Sequence, residues 1–329
     1  MAHDLVRTPF PRAADVSAAQ RPERRGTAGW IGALLGLAVI WGASVPLTKL
    51  GLQDFPPLTL TALRYLVAAP FFAAVLLGRA LPPPRAVAAA GALGLLGIGV
   101  GQVSQTLGVR EISASVATVI SATIPILVVV FAVVRLRRPV RRRQGLGLIT
   151  AFAGVTLVAA GDPHALLAGF NTPGGRGDAL MLLSAVAVAL YYVFSVELMA
   201  KYSVITVTAL TSLAGACGVV PAAVWELQHS AAVQLSLRGI LVALYLGVLV
   251  TVVGLWVWFH ALNRLPVSVA AALQYLQPLV GVGASALLFG DRLGVWFWLG
   301  TGLVLGGIAG STAPDLPSLR KALVPQLRA

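Results

Sequence analysis

The sequence predicts an all-α integral membrane protein with ten transmembrane helices, arranged as two inverted five-helix repeats. Three observations predict this class: long apolar stretches, little charge within them, and a similarity between the two halves. Hydrophobic residues make up 58% of the 329 residues and charged residues 11%. Soluble domains carry about 25% charged residues, and an apolar helix of roughly 20 residues spans a bilayer. The chain therefore leaves no room for a large soluble domain.

Ten apolar stretches follow one another between Trp30 and Thr312. Turns rich in proline and glycine separate several of them, for example Pro82-Pro83-Pro84. The predicted helices cover residues 30–50, 57–77, 86–107, 112–134, 144–160, 179–199, 206–225, 238–260, 266–288 and 294–312. The first repeat thus covers 30–160 and the second 179–312. Residues 1–29 are predicted to be a disordered cytoplasmic tail, 161–178 an external linker, and 313–329 a cytoplasmic tail.

Basic residues are unevenly distributed over the predicted loops. The side that includes both tails and the segment 135–143 carries 18 lysines and arginines, and the opposite side carries 4. Cytoplasmic loops are enriched in these residues, so both termini are predicted to face the cytoplasm. This topology also accounts for the net charge of +13, and no nucleic-acid recognition motif accompanies that charge. We therefore expect no nucleic-acid partner. The expected location is a bacterial inner membrane. The high Ala, Val, Gly and Arg content indicates a GC-rich bacterial genome, which agrees with this location.

The two halves of the sequence can be aligned without gaps over the best-matching segments. A shift of 150 positions places Trp41 on Tyr191. Each half holds five predicted helices, an odd number, so the halves insert with opposite orientation. Inverted repeats are typical of secondary transporters with a midplane substrate site; chance similarity among apolar helices is the alternative. A shift of 153 places Ser115-Val116-Ala117 on Ser268-Val269-Ala270, Pro125 on Pro278, and Gly147 and Gly154 on Gly300 and Gly307.

Three segments resemble a known transporter family. WGASVPLTKLGLQDFPPLTLTALRYLVAA, at 41–69, is similar to the opening of an EamA repeat. LGVREISASVATVISATIPILVVVFA, at 107–132, is similar to its third and fourth helices, and ALNRLPVSVAAALQYLQPLVGVGASALLFGDRL, at 261–293, to the same region of the second repeat. The resemblance implies the drug/metabolite transporter superfamily, whose ten-helix fold consists of two inverted repeats. Its members move small metabolites and often export amino acids.

Polar side chains recur on one face of several predicted helices. Such groups would lack hydrogen-bond partners in lipid, so we expect them to face the interior of the bundle. They predict a central cavity with aromatic walls, suited to a modest-sized solute; hydrogen bonding between helices is the alternative. These residues are Trp41, Ser44 and Thr48 on the first helix, Gln102 and Gln105 on the third, Tyr191 and Ser195 on the sixth, and Gln274, Tyr275 and Gln277 on the ninth.

Charged residues within the predicted helices are few, and each is a functional candidate. Lys49 and Arg64 are candidates for attracting an anionic group. The alternatives are that Lys49 reaches the outer interface and that Arg64 binds backbone carbonyls or pins helices together. Glu197 is a candidate coupling residue, or the partner of Lys201 in a local helix pair. His260 is a candidate proton sensor, or an interfacial histidine.

Three prolines interrupt predicted helices. Proline lacks the N–H that the helical ladder requires, so each proline is a candidate hinge or a site of exposed carbonyls. These candidates are Pro46, Pro125 and Pro278.

The sequence favours a secondary transporter that exports a small metabolite, such as an amino acid or a related solute, by alternating access. No GxxxxGK[ST] motif is present, so the solute's own gradient or proton exchange is the expected driving force. The histidines are scattered, so no enzymatic activity, metal or cofactor is expected. A flippase for a lipid or lipid-linked intermediate is the alternative, and a membrane-embedded enzyme is a weaker one. A complete pair of repeats suggests that a monomer suffices.

Overall fold

The structure, a computed structural model, describes residues 27–135, 142–160, 174–229, 233–262, 264, 273–274, 276–291 and 293–312. Throughout these ranges the regular secondary structure is helical. Most of the predicted N-terminal tail, the predicted C-terminal tail, most of the predicted linker, residues 266–272 of the predicted ninth helix, and Tyr275 lie outside the described residues. Residues 27–29, predicted as the end of the N-terminal tail, are helical. The all-helical class that the composition predicts is confirmed.

The described residues of the first half form α-helices and one π-helical segment. A π-helical segment, π1, joins α3 and α4 into one long helix. The bounds are α1 Thr27–Gly51, α2 Pro57–Leu76, α3 Pro84–Gly94, π1 Leu95–Gln102, α4 Val103–Glu111, α5 Ala114–Ser121, α6 Ile124–Arg135 and α7 Arg142–Ala160.

The second half follows the same plan, with its own π-helical segment, π2, inside a long helix. The segments π1 and π2 begin at Leu95 and Tyr245, which the 150-residue shift places on one another. The bounds are α8 Gly175–Met199, α9 Val204–His229, α10 Leu237–Leu244, π2 Tyr245–Val253, α11 Gly254–Leu262, α12 Leu276–Phe289 and α13 Val295–Thr312.

Seven of the described helices are long and apolar enough to cross a membrane. Three further apolar helices, Gly145–Val158, Leu276–Phe289 and Val295–Gly307, are shorter. All ten lie within or largely overlap the predicted stretches. Large hydrophobic side chains such as Leu66, Phe71 and Leu287 are exposed along the helices, as expected where lipid replaces water. The chain is therefore a multi-pass membrane protein.

One predicted helix is wrong in detail, because the stretch 112–134 is broken into α5 and α6. The break is a turn at Ala122 and Thr123, directly before Pro125. Proline has no N–H to donate to the carbonyl four residues earlier, so the helix is interrupted at this point. At the break, the Thr123 hydroxyl donates to the Ile120 carbonyl over 2.7 Å. The break confirms that Pro125 interrupts the helix, whereas a hinge function for it stays a prediction.

Several helix ends also differ from prediction by a few residues; the third predicted helix, for example, ends at Glu111 rather than at residue 107. Helix α8 begins at Gly175 rather than at residue 179, because a polar first turn containing Asp178 is stabilised at a helix N-terminus. Helix α9 continues to His229 rather than ending at residue 225. The added turn includes Glu226, whose side chain binds another helix and is therefore satisfied inside the bundle.

The two halves are interleaved rather than side by side. Helix α2 packs on α9, α1 on α12, α4 on α8, and α7 on α13. Each pair takes one helix from each half. The largest buried cluster accordingly combines residues of both halves, among them Val109, Ile120, Met181 and Val282.

Helices α7 and α13 approach one another closely through glycines. A Cβ placed on Gly300 would lie 2.7 Å from the carbonyl oxygen of Gly154, and one placed on Gly307 would lie 2.5 Å from that of Gly147. Only glycine permits backbones this close. Gly147, the earlier glycine of α7, meets Gly307, the later one of α13, and Gly154 meets Gly300. The two helices therefore run antiparallel.

Candidate functional site

The guanidinium of Arg64 lies within the bundle between π1 and π2. Its Nε donates to the Thr251 hydroxyl over 2.9 Å, and its Nη1 donates to the Gln102 Oε1 over 2.8 Å. The Cζ atom lies 5.4 Å from the centre of the Tyr65 ring. The partners are neutral and come from both halves, since Gln102 lies on π1 and Thr251 on π2. Arg64 itself is half-buried.

The two π segments position these partners. A π-helix adds a residue to the turn, and such turns occur often at functional sites. The Thr251 hydroxyl donates to the Leu246 carbonyl, five residues earlier, over 2.8 Å. Its oxygen is thus oriented to accept from Arg64. Thr251 was not singled out from the sequence, because it is a lone hydroxyl residue in the apolar run VLVTVVG.

Trp41 lies against the same π2 segment. Its indole Nε1 donates to the Val250 carbonyl over 2.9 Å, and its ring centre lies 5.8 Å from that of Trp258. Val250 precedes Thr251, the partner of Arg64. Trp41 and Arg64 therefore donate hydrogen bonds to two consecutive residues of π2, as expected if they lie in one polar region.

Tyr191 makes the corresponding contact in the other half, on π1. A Cβ on Gly97 would lie 2.7 Å from the Tyr191 ring, so the ring occupies the space beside that glycine. The Tyr191 hydroxyl lies 3.2 Å from the Thr211 hydroxyl of α9. Because π1 also carries Gln102, the contacts link Trp41, Arg64, Gln102 and Tyr191 through the two π segments. We call these four residues and Thr251 the polar belt.

Other predicted polar residues bind locally. The Ser44 hydroxyl donates to the Trp41 carbonyl over 2.6 Å, and the Thr48 hydroxyl to the Ser44 carbonyl over 2.7 Å. Their hydrogen bonds therefore lie within α1, which agrees with a structural role. Ser195 is buried and its hydroxyl has no partner among the described residues, and Gln105 is half-buried.

The two glutamines of the predicted ninth helix bind each other. The Gln277 side-chain amide donates to the Gln274 Oε1, and the Gln274 Nε2 is buried without a partner among the described residues. The Gln277 carbonyl lies against Gly42, next to Trp41. This pair is thus placed beside the polar belt.

Lys49 binds the end of a neighbouring helix. Its Nζ donates to the carbonyls of Val109, Arg110 and Ile112 over 2.8, 3.0 and 2.8 Å. Carbonyls at a helix C-terminus lack helical partners and attract cations. All three of its ammonium hydrogens have an acceptor, so the geometry favours a structural role over anion binding.

Glu197 does not pair with Lys201, contrary to the local pair that its spacing suggests. Its carboxylate instead lies 2.8 Å from Arg135 at the end of α6. The helix ends at Met199, so Lys201 no longer follows on the same face. Both side chains of the observed pair are about half exposed, at 48% and 51%. Such exposed pairs contribute little to stability.

His260 lies among tryptophans at the end of α11. Its Nδ1 is 2.8 Å from the Trp256 carbonyl, and its ring stacks on Trp30 with centres 6.3 Å apart. Of the predicted hinges, Pro46 is buried within α1, Pro125 follows the break before α6, and Pro278 is buried near the start of α12.

An ion pair that was not predicted joins Asp54 to Arg238. The Arg238 Nε and Nη2 donate to the two carboxylate oxygens over 2.8 and 2.9 Å. Asp54 is only 4% exposed. These hydrogen bonds hold the pKa of Asp54 below its usual range. The stabilisation is thus present above the ordinary pKa and is lost only as the pH falls through the lowered one, so the pair stays ionised at neutral pH.

A second unpredicted contact caps the N-terminus of α2. The Glu226 Oε2 accepts from the backbone N–H and the hydroxyl of Thr59 over 2.8 and 2.9 Å, and its Oε1 accepts from the Leu58 N–H over 3.2 Å. Free N–H groups at a helix N-terminus favour such an acceptor. Glu226 lies one position beyond the predicted end of its helix, at residue 225. It is therefore not among the charged residues that the sequence places inside the membrane.

Asp291 binds the start of α5 in a similar way. Its Oδ2 accepts from the Ser115 N–H over 3.1 Å and from the Ser115 hydroxyl over 2.6 Å. The contacts of Asp54, Glu226 and Asp291 each join one half to the other. All three lie at the end of the bundle where α1 ends and α2 begins, which we call the Asp54 end. No cluster of His, Cys, Asp and Glu suited to a metal ion occurs among the described residues.

Comparisons with known proteins agree with this architecture. The model of the EamA-like transporter family matches residues 28–160 and 175–313. A protein of Archaeoglobus fulgidus named as an uncharacterized transporter is 29% identical over 280 residues, which cover 85% of this chain and 96% of that protein. YedA of Escherichia coli K12, named as an uncharacterized inner membrane transporter, is 25% identical over 279 residues, 83% of this chain and 87% of YedA.

A solved crystal structure has the same fold. It is 18% identical, with a TM-score of 0.60, and the match covers 87% of this chain and 98% of the other. The relatives are transporters by name rather than enzymes, and the family model covers nearly all the described helices. This multi-pass membrane chain is therefore a transporter that belongs to the EamA-like transporter family.

Proposed function

We propose that the chain is a secondary transporter that exports a small metabolite, an amino acid or a related solute, by alternating access. The polar belt carries this proposal, because it gathers Trp41, Arg64 and Gln102 of one half with Tyr191 and Thr251 of the other. A site shared by two halves changes its access when the halves move relative to each other. Proton exchange or the solute's own gradient is the proposed driving force.

Ten transmembrane helices in two inverted repeats are part of the proposal. Helices α7 and α13 contain the glycines that the 153-residue shift equates, and they pack antiparallel. Equivalent helices of an inverted repeat must run in opposite directions, so this packing supports an inverted relation. The correspondence of Trp41 on π2 with Tyr191 on π1 supports it independently.

The Asp54 end supplies a candidate for the closed gate of one state. Three acidic side chains there join the two halves, through Arg238, Thr59 and Ser115. At the opposite end, the half-exposed pair Arg135–Glu197 also joins the halves. Alternating access would require the Asp54-end contacts to break when that end opens. The distribution of basic residues in the sequence predicts that the Asp54 end faces the external side.

The proposal is tested by the solutes that cells release. Medium from cells producing the wild-type chain is compared with medium from cells producing the Trp41→Ala, Gln274→Ala double variant. The variant Trp296→Ala is the matched control, because this tryptophan is 42% exposed at the start of α13, which packs mainly on α7. Membrane levels of each protein are measured in parallel.

Enrichment of one solute class with the wild type and the Trp296 variant, but not with the double variant, is the expected result. Equal release by all three proteins at equal membrane levels would reject the polar belt as the transport site. Enrichment of a lipid or lipid-linked intermediate in the outer leaflet, with no solute released, would replace the metabolite proposal by the flippase alternative.

A further inference from the structure

We propose that Arg64 binds the carboxylate of the transported solute, and that the solute carries one net negative group at this position. The inference rests on the proposed function and adds a substrate class to it. It starts from an arginine whose described hydrogen-bond and ring partners, Gln102, Thr251 and Tyr65, are all neutral.

A permanent cation in a transmembrane helix requires compensation. Arg64 lies in the apolar span Pro57–Leu76, and arginine does not lose its proton in proteins. Charged groups inside membranes are costly and usually pair with an opposite charge or line a water-filled cavity. Among the described residues, carboxylates pair with Arg135, Arg176 and Arg238, but none pairs with Arg64. A solute anion would supply the missing charge.

The guanidinium also retains donors for such an anion. Arginine has five N–H groups, and the bonds to Thr251 and Gln102 use one on Nε and one on Nη1. The remaining groups include both on Nη2. Gln102 accepts through its Oε1, so its own NH₂ is left to donate beside them. Paired N–H donors match the two oxygens of a carboxylate.

The surroundings favour a single carboxylate with an apolar body. Lys49, near the end of the neighbouring helix α1, is occupied by three backbone carbonyls, and Arg85 and Arg110 lie exposed near the two ends of the span Pro84–Glu111. One available cation balances one negative charge, which disfavours dicarboxylates and phosphate esters. Tyr65 lies against the guanidinium, and Trp41 binds the residue next to Thr251. These rings provide apolar surface for the rest of the solute.

The position of Arg64 also connects binding to movement. Its two hydrogen bonds reach π1 of one half and π2 of the other. An anion that competes for these donors would change the bonds between the halves. The competing explanation is that Arg64 only holds the two π segments together, in which case an added carboxylate has no effect that depends on Arg64.

The test uses the purified full-length protein in detergent and three probes of matched shape. These probes are 3-phenylpropionate, its neutral amide 3-phenylpropanamide, and the cationic phenethylamine. The unfolding temperature is measured as each probe is titrated. The variants are Arg64→Gln, Arg64→Lys and, as a control, Arg79→Gln, since Arg79 is exposed in the turn after α2.

We expect 3-phenylpropionate to raise the unfolding temperature of the wild type and of the Arg79 variant, and the other two probes to leave it unchanged. Arg64→Gln should lose this effect. Arg64→Lys should keep the effect with an apparent affinity about tenfold weaker, because lysine keeps the charge but not the paired donors. Should Arg64→Gln fail to fold, the lysine variant still tests the inference.

Equal stabilisation by the amide, absence of any effect of 3-phenylpropionate on the wild type, or an unchanged affinity in Arg64→Lys would overturn the inference. Failure of the proposed function is distinguishable. Binding of the carboxylate through Arg64 without any released solute would reject export and keep the anion site. Release of neutral solutes, with no carboxylate effect, would keep the transporter and reject the anion site.

Discussion

Two glutamates show how strongly the surroundings of a residue determine its contribution. Glu226 is 7% exposed and accepts three hydrogen bonds from Leu58 and Thr59. Glu197 is about half exposed and has Arg135 as its ion-pair partner. Removing a buried acceptor leaves its donors without partners, whereas water replaces the partner of an exposed pair.

We therefore expect Glu226→Ala to destabilise the protein and Glu197→Ala to have little effect. The cost should be about 1–3 kcal/mol for Glu226 and below about 1 kcal/mol for Glu197. Unfolding temperatures of the two purified variants, compared with the wild type, provide the measurement. Equal losses in the two variants would contradict the role of Glu226 at the start of α2.

At the scale of elements, close packing of two helices depends on glycine. Helices α7 and α13 meet where Gly154 faces Gly300 and Gly147 faces Gly307. Gly302 lies on the same helix as Gly300, yet a Cβ there would have no atom within 4 Å. Two glycines that look alike in the sequence thus differ in what surrounds them.

This difference predicts opposite results for one added methyl group. Gly300→Ala forces the backbones of α7 and α13 apart and should cost about 1–3 kcal/mol, as in other overpacked interiors. Gly302→Ala should be neutral or slightly stabilising, because alanine favours helix over glycine. Thermal unfolding and membrane yield of both variants check this. A neutral Gly300→Ala would mean that the two helices are farther apart than described.

At the scale of the whole molecule, the two halves are held together by contacts between distant parts of the chain. Trp41 and Val250 are 209 residues apart, and Thr59 and Glu226 are 167 apart. Such contacts occur at both ends of the bundle and in the polar belt. A movement of one half against the other would therefore have to exchange one set of contacts for another.

The orientation of the molecule is predicted by the distribution of basic residues, with the Asp54 end outside. Single cysteines can be placed at Gln53 and Arg79, which are both exposed and lie in successive turns between helices. The background is Cys217→Ala, since the native cysteine is exposed. In intact cells, a membrane-impermeant maleimide should label Gln53→Cys and not Arg79→Cys.

The reverse labelling pattern would show that the orientation in the membrane is opposite to the predicted one. Labelling of both positions in permeabilised cells controls for their reactivity. If neither cysteine reacts after permeabilisation, the result contradicts the exposure of Gln53 and Arg79 in the structure.

Much of the fold was predictable because membrane burial depends on local properties. Length and apolar composition suffice to mark a spanning helix, and each predicted stretch overlaps an apolar helix of the structure. The polar residue types at Trp41, Arg64, Gln102 and Tyr191 were predictable for the same reason, since a polar group in an apolar run is visible without its neighbours. The break before Pro125 follows from the chemistry of one residue.

The partners of these residues depended on the tertiary structure. Glu197 pairs with Arg135 rather than Lys201, and Arg64 binds Thr251, 187 residues away. Local spacing favours partners one turn apart on the same helix, but packing brings side chains of distant helices within hydrogen-bonding distance of each other. The π segments likewise orient Thr251 and Gln102 in a way that no propensity predicts. Residue types follow from the membrane as a solvent, whereas their pairing follows from how the two halves pack against each other.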